Sequence, residues 1–288
     1  MTDDTLTIQP MEPDHLAGAL RLSQAEKWPH RAEDWSLFHS LSKGAVAIEN
    51  GEVVATALTT LFGDAATINM IIVDGRMRGR GLGRKMMTSV MSLIQPKQWR
   101  LVATKDGLPL YEKLGFRAVG EIFQHQGIAQ APENAPENAP ALAAEGADGL
   151  HPAGPEDASV LAQLDKAATG MDRTALISEL FRLGRIFVIR ENGQITAYAA
   201  LRPFGRGEVA GPVIARDADQ ARLLLSHILK ECEGRFLRVD TGAETGLAPW
   251  LAKHGLAHAG GGIPMRLGAT SEAAGPVHTF ALAAQALG

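Results

Sequence analysis

The chain has 288 residues, a length that at roughly 100–200 residues per domain points to two domains. Apolar residues make up 45% and charged residues 21%, ordinary values for a folded protein, so disorder throughout is excluded. The 28 basic and 32 acidic residues leave a net charge of -4, and cutting at residue 144 puts 14 basic and 16 acidic residues on each side. Neither half is a basic module suited to nucleic acid or to an anionic membrane.

The first segment predicts a strand at 5–9, helices within 13–42, and strands at 45–50 and 53–62 joined by Asn50-Gly51, a hairpin signal. A strand at 66–73 leads into a helix at about 81–95, where Leu82, Met86, Val90 and Ile94 recur every four residues and mark the core face. A strand at 99–104, a helix at 107–114 and strands from 116 to 126 complete the segment. The composition then breaks. From about 127 to 154 the chain carries the tandem tetrapeptide APEN-APEN (131–138), with four acidic residues, no Lys or Arg and no Phe, Trp or Tyr. Such a stretch buries too little apolar surface to offset the entropy of ordering, and its prolines favour an extended spacer. Residues 127–150 are therefore expected to link two domains, 1–126 and 151–288.

Beyond the linker the pattern returns. Asn192-Gly193 joins two apolar runs as Asn50-Gly51 does, and Leu251-Ala-Lys-His-Gly-Leu256 parallels Tyr111-Glu-Lys-Leu-Gly-Phe116. The openings QPMEPDHLAGAL and HPAGPEDASVLA also pair. Their shared order implies a duplicated α/β domain, with Ala221, Leu224, Leu225 and Ile228 on the second copy's corresponding helix. The Ala- and Gly-rich tail from Ala269 is expected to pack as a short helix or to trail off.

The stretch from Ile71 to Lys85 carries the chemistry. An apolar strand enters a loop with glycines at 75, 79, 81 and 83, and an amphipathic helix follows at once. Glycines let a backbone approach a ligand closely, and the free N–H groups of a helix N-terminus favour phosphate. Five basic side chains (Arg76, Arg78, Arg80, Arg84, Lys85) and no acid lie between 76 and 85, as a ligand with several phosphates would require. A P-loop would need Gly-Lys-Ser/Thr, which is absent, and a dinucleotide fingerprint would need a different glycine spacing after the first strand of its unit.

These residues resemble the GNAT superfamily of acyl-CoA-dependent N-acyltransferases. The family's pyrophosphate loop, Arg/Gln-x-x-Gly-x-Gly/Ala, is matched by Arg78-Gly-Arg-Gly81-Leu-Gly83, and its later Leu-Tyr-x-x-x-Gly-Phe block by DGLPLYEKLGF. The resemblance implies two domains, each a mixed, mostly antiparallel sheet flanked by helices. It implies that acetyl-CoA is held by Ile71, Ile72 and Val73 on the strand, by Arg78, Gly79, Arg80, Gly81, Leu82, Gly83 and Arg84 in the loop, and by Thr104, where the family often has Asn. Gly107 stands where Ala is usual. Tyr111 falls where the family places a general acid for the departing thiolate, and a phenol, with a pKa of ~10, keeps its proton at neutral pH.

The Trp28–Trp35 stretch falls where the superfamily builds its acceptor site. Trp28, His30 and Trp35 are candidates there, with Asn69 on the strand able to orient a water; the other reading is a helix packing two indoles onto the sheet. The strand 66–73 lacks the carboxylate that many members use as base, and Asp64 stands only at its start. The second copy has no loop glycines after Pro212, carries Asp217 and Asp219 where a phosphate would sit, and has Leu251 in place of the tyrosine, so it is expected to bind no CoA. Arg238, Asp240 and Glu244 follow its inner strand and could reach an acceptor. His254, His258 and Cys232 read as packing or surface residues. A lone cysteine forms no intrachain disulfide, and no cysteine cluster exists to hold zinc, so no metal is expected. No secretory signal opens the chain and no apolar run reaches ~20 residues, which points to a cytoplasmic protein.

The expected activity is transfer of an acetyl group from acetyl-CoA to the primary amine of a small molecule, an amino acid among the options. A non-catalytic acyl-CoA sensor and a protein or peptide N-acetyltransferase are the alternatives. A homodimer is left open.

Overall fold

The structure, a computed structural model, describes residues 6–132, 148–269 and 275–288. The first segment runs β1 (Thr7–Pro10), α1 (Leu16–Ala25), α2 (Ala32–Leu41), β2 (Lys43–Glu49), β3 (Glu52–Phe62), β4 (Ala65–Val73), α3 (Leu82–Met91), β5 (Gln98–Ala103), α4 (Leu108–Lys113), β6 (Arg117–Ala118) and β7 (Ile122–Ile128). The second repeats it as β8 (Gly149–Pro152), α5 (Ala158–Thr169), α6 (Thr174–Leu183), β9 (Arg185–Glu191), β10 (Gln194–Phe204), β11 (Gly207–Ala215), α7 (Ala218–Glu231), β12 (Phe236–Gly242), α8 (Ala248–Lys253) and β13 (Ala257–Gly268). A last strand, β14 (His278–Ala281), follows.

The local signals work as the residue types dictate. Asn50 and Gly51 have φ of 53° and 77°, and Asn192 and Gly193 have 51° and 73°. Two consecutive positive φ values are what a two-residue hairpin needs to match strand twist, and Asn and Gly tolerate them best. On α3, Leu82, Met86, Met87 and Val90 are buried; on α7, so are Ala221, Leu224, Leu225 and Ile228. Of the expected linker, residues 127–128 continue β7 and 149–150 open β8, while the tetrapeptides from residue 133 onward lie outside the described residues.

The described strands form one mixed, mostly antiparallel sheet, in the order β1-β2-β3-β4-β5-β13-β7-β12-β11-β10-β9-β8. Only β4–β5 and β11–β12 pair in parallel. Near the middle of this order the two segments exchange strands. β13, from the second segment, pairs with β5 of the first, Ile263 opposite Ala103 through Gly268 opposite Gln98. β7, from the first, pairs with β12 of the second, Phe236 opposite Ile128 through Gly242 opposite Ile122. β13 and β7 then pair with each other.

The cores follow from this weave. Helices α1, α2, α5 and α6 bury Leu22, Trp35, Phe38, Leu161, Ile177 and Leu180 in one core with Phe62 of β3 and Phe204 of β10. A second core under α3 and α4 includes Met265 of β13, and a third under α7 and α8 includes Ala129 from the end of the first segment. Each half thus completes the other's hydrophobic core.

Candidate active site

The first copy's sheet opens where its chemistry is expected. β4 and β5 pair only at Ala65–Gln98, Ala66–Trp99 and Thr67–Arg100, and beyond these they have no register with each other. Against β3, the β4 register slips between Asn69 and Ile72, so β4 carries an extra residue there. Met70, in the slip, has φ of 50°, and the Thr56 hydroxyl donates to its carbonyl at 2.8 Å. Such a bulge shifts the strand's alternation by one and re-aims its backbone. The β5-facing edge of Ile71, Ile72 and Val73 is left without a strand partner.

A cleft of about 890 Å³ lies in this opening. Ile71, Ile72, Val73, Arg78, Gly79, Gly81, Leu82, Gly83, Arg84, Thr104 and Tyr111 all line it, so the residues expected to hold a donor meet in one place. Arg80 is the exception: it pairs with Glu49 at 3.1 Å. Gly79 and Gly81 have φ of 78° and 73°, Gly81 being the N-cap of α3, and a Cβ built on either meets nothing within 4 Å. The space over the helix N-terminus is open, as an oxyanion ligand would require. The basic cluster is less available than its count suggests. Arg76 pairs with Asp74 at 2.9 Å and Arg78 with Glu26 at 2.5 Å, leaving Arg84 and Lys85 outside any ion pair among the described residues.

The α4 segment seats Tyr111. Gly115, at φ 91°, ends the helix, and the Phe116 N–H donates back to the Tyr111 carbonyl at 3.0 Å. This is a Schellman closure, whose companion contact between the flanking apolar residues is here the edge-on packing of Phe116 against the Tyr111 ring. The spacing Tyr-x-x-x-Gly-Phe therefore fixes the tyrosine by geometry. Gly107 makes room for it: a Cβ there would lie 2.8 Å from Tyr111 Cε2. Thr104 holds the turn, its hydroxyl accepting from the Gly107 N–H at 3.2 Å. Burial pushes the Tyr111 phenol up to about 12, so it is a proton donor throughout the neutral range.

The acceptor candidates divide. Trp28 lines the cleft. Trp35 is fully buried, its indole donating to Ser23 at 3.0 Å, and is a core residue that no ligand reaches. His30 sits edge-on to Trp28, Trp35, Phe38 and Phe204. Burial, opposed by Asp34 and reinforced by Arg238 and Arg202, lowers its pKa to about 4, and its buried Nδ1 has no hydrogen-bond partner among the described residues. Asn69 donates to the hydroxyls of Thr60 and Thr67 at 3.2 Å, leaving its buried carbonyl oxygen unpaired. Asp64 forms an exposed pair with Lys97 and does not line the cleft.

Comparison with known proteins bears on the family and the fold. Models of the acetyltransferase (GNAT) domain match residues 16–132 and, separately, residues 161–277. The chain belongs to the GNAT family. It is a tandem member, similar along its length to an uncharacterised N-acetyltransferase of Bacillus subtilis, YitH, with 28% identity over 284 residues, 96% of this chain and 97% of the relative. Its fold matches that of a putative acetyltransferase from Pyrococcus horikoshii, with a TM-score of 0.79 at 19% identity, covering 100% of this chain and 98% of that one. It also matches that of a tandem GNAT protein from the clavulanic acid biosynthesis pathway, with a TM-score of 0.62 at 14% identity, covering 93% and 100%.

In the second GNAT copy the corresponding cleft is filled. β11 and β12 pair only at Glu208–Leu237 and Val209–Arg238. Into the gap comes the tail: β14 pairs with Val213–Ala215 of β11, the Leu282 N–H donates to Asp240 O at 2.8 Å, and the Thr241 hydroxyl donates to Phe280 O at 2.7 Å. The expected short helix or loose end is thus a strand, because two parting strands offer it unpaired backbone. The N-terminus of α7 is closed as well, the Asp217 carboxylate accepting from the N–H groups of Asp219 and Gln220. The helix N-terminus is thus satisfied by a side chain of its own chain. Leu251, at the tyrosine's position, is buried. Cys232 is buried too, which with Glu208 nearby pushes its thiol up to about 12 and leaves it unreactive.

Sequence reasoning missed Phe204 and Arg202, whose hairpin reaches the first GNAT copy: Gly205 N–H donates to Asp34 at 3.0 Å, and the Arg202 and Arg238 guanidiniums lie over the Phe204 ring. Only the duplicated pattern could have suggested them, by implying a symmetric contact. Arg238 and Asp240 pair with each other at 2.9 Å.

Proposed function

We propose that the first GNAT copy transfers an acetyl group from acetyl-CoA to the amine of a small molecule. The observation that carries this reading is the contrast within one chain: the first copy's cleft is open, glycine-lined and ends at a tyrosine, while the second copy's is closed by β14 and Asp217. In the open cleft the α3 N-terminus with Arg78 and Arg84 would take the pyrophosphate, and the free edge of Ile71–Val73 would bond the pantetheine amides. A backbone N–H beside the Met70 bulge would polarise the thioester carbonyl. The amine forms the new C–N bond, the C–S bond breaks, and Tyr111 protonates the leaving thiolate. No carboxylate on β4 takes the amine's proton, so the acceptor is expected to react as the free base, with its proton passing to water and water returning a proton to the Tyr111 phenolate.

A small acceptor is favoured over a peptide because the second half covers the β4–β5 face opposite α3. Arg100 there donates to Thr169 O of α5 at 2.8 Å. Free-thiol release from acetyl-CoA against amines, amino acids and short peptides tests the reading, with CoA-induced thermal stabilisation read alongside. Turnover with small amines and stabilisation by CoA are expected. Stabilisation without turnover would favour a sensor, and no stabilisation would remove the donor site.

A further inference from the structure

A second cavity, of about 550 Å³, lies between the two halves. Its size is that of a small-molecule site. Much of its wall is apolar, with Val102, Ala168, Met171 and Leu282 among the lining residues, and Thr67, Arg100 and Arg266 also face it. The two arginines are direct cross-strand partners, Arg100 on β5 and Arg266 on β13. They come from different halves and meet only because the strands are exchanged.

Like charges placed opposite each other on a sheet destabilise it. Arg100 is anchored by Thr169 O at 2.8 Å and by Gln98 Oε1 at 2.5 Å. Burial, and to a lesser extent Arg266 and Arg173, bring its pKa down to about 10. Arg173 is itself matched by Asp165 at 2.6 Å. Arg266 enters no ion pair among the described residues. The acids lining the cavity, Glu121 and Glu244, are both exposed. They lie together, since the Ala243 N–H donates to Glu121 O at 2.9 Å. Two guanidiniums facing a mostly apolar cavity form a receptor for an oxyanion, which they can bind through several charge-assisted hydrogen bonds.

The cavity adjoins the donor cleft. Val102 of β5 lines the cavity, and Thr104, the residue that follows β5, lines the cleft, ~7 Å further along the chain. We propose that this cavity receives the acetyl acceptor, and that the Arg100–Arg266 pair binds an oxyanion, carboxylate or phosphate, at the end of the acceptor remote from its amine. This rests on the acetyltransferase reading and narrows its substrate class to anionic amines. Arg100 lies four residues before Thr104, ~13 Å at the rise of an extended chain, so the oxyanion and the amine are separated by several bonds.

The test uses the full chain saturated with CoA and a series of ω-amino acids from glycine to 6-aminohexanoate. Each is set beside its amide and beside the aminoalkyl phosphate of the same length. At least one acid is expected to raise the melting temperature where its amide does not, and to show a KM at least tenfold below that of the amide in turnover. Arg266→Gln should abolish the preference for acid over amide, and Arg266→Lys should restore part of it. The stronger shift within a carboxylate and phosphate pair identifies the oxyanion. The proposal is overturned if no acid outperforms its amide, or if an Arg266→Gln protein that unfolds cooperatively keeps the wild-type preference. A wild-type protein that CoA does not stabilise would refute the donor assignment instead, and the acid-against-amide shift on CoA-free protein would then still decide the anion site.

Discussion

Gly81→Ala separates what the glycine loop does for the fold from what it does for a ligand. Gly81 has φ of 73°, and a methyl group added there would touch nothing within 4 Å, so the only intrinsic penalty is the left-handed backbone, about 1–2 kcal/mol for an L-residue. Gly51, at φ 77° in the β2–β3 hairpin and equally free of neighbours, suffers the same penalty far from the cleft. The two alanine variants should therefore lose similar stability, about 2–4 °C of melting temperature per kcal/mol for a protein of this size. Binding should split them. A methyl at the α3 N-cap would stand where a pyrophosphate would approach in the proposed donor site, and losing even one charge-assisted hydrogen bond is worth about 2 kcal/mol, or roughly thirtyfold in affinity. Calorimetric titration with CoA, after both variants are shown to be folded, provides the measurement. Gly51→Ala should bind as wild type and Gly81→Ala at least thirtyfold more weakly. Equal affinities in the two variants would refute the phosphate cradle, whatever the stabilities.

Tyr111→Phe should lower kcat by about 10²–10⁴-fold with CoA affinity changed less than about twofold. With the phenol pushed up to about 12, wild-type activity should show no falling limb from this group below pH 10; a limb near pH 9 that the Phe variant lacks would contradict the raised pKa, and a fully active Phe variant would contradict the acid role. His30, buried and held down to about 4, stays neutral in the fold while the unfolded chain takes a proton at about 6.5. Its stabilising contribution is thus present above pH 6.5 and lost as pH falls toward 4, by up to about 3 kcal/mol, so His30→Phe should lose less stability than wild type between pH 7 and 4.5 in urea melts. Equal losses would contradict the burial argument. CoA should bind once per chain, because β14 and Asp217 close the second cleft; a calorimetric stoichiometry of two would overturn that closure. A protease site introduced within 133–138 should give two fragments that co-elute without denaturant, since β7 and β13 each lie in the other fragment's half of the sheet, and separation of the fragments would contradict the exchange.

What was legible in the sequence was whatever depends on neighbours along the chain. The Asn-Gly hairpins, the four-residue spacing on α3 and α7, and the helix-closing Gly115 and Gly255 each satisfy a local backbone demand, and the elements formed within a few residues of expectation. The glycine loop and Tyr111 were legible for the same reason: a strand, a nest and a helix follow one another without interruption. Trp35 was not, because an indole facing a pocket and one facing the core look alike until the partner surface is known; here that surface includes Ser23, twelve residues away, and the shared core. His30 was ambiguous in the same way. Its burial depends on Phe204, which only folding of the second half brings near.

The exchanged strands were illegible for a deeper physical reason. β7 and β13 have the same sheet-forming character whichever β5-like strand they pair with, because backbone ladders are nearly indifferent to side-chain identity. In a duplicated chain, pairing within a copy and pairing across copies satisfy the same hydrogen bonds, so the choice between them falls to contacts at the seam. Those contacts are specific: Gly261 and Gly127 lie so close to facing backbone that a Cβ would collide, at 1.8 Å from Ile122 O and 2.1 Å from Gly255 O. Gly262 likewise admits Val102. Glycines that read in the sequence as a loose, β-poor strand, Ala257-His-Ala-Gly-Gly-Gly-Ile263, are the condition for closing the seam. The same closure sets Arg266 opposite Arg100, an arrangement that neither copy could make alone. Closure of the second copy's cleft therefore leaves its strand under constraint: β13 must still complete the first copy's sheet and wall the cavity between the halves.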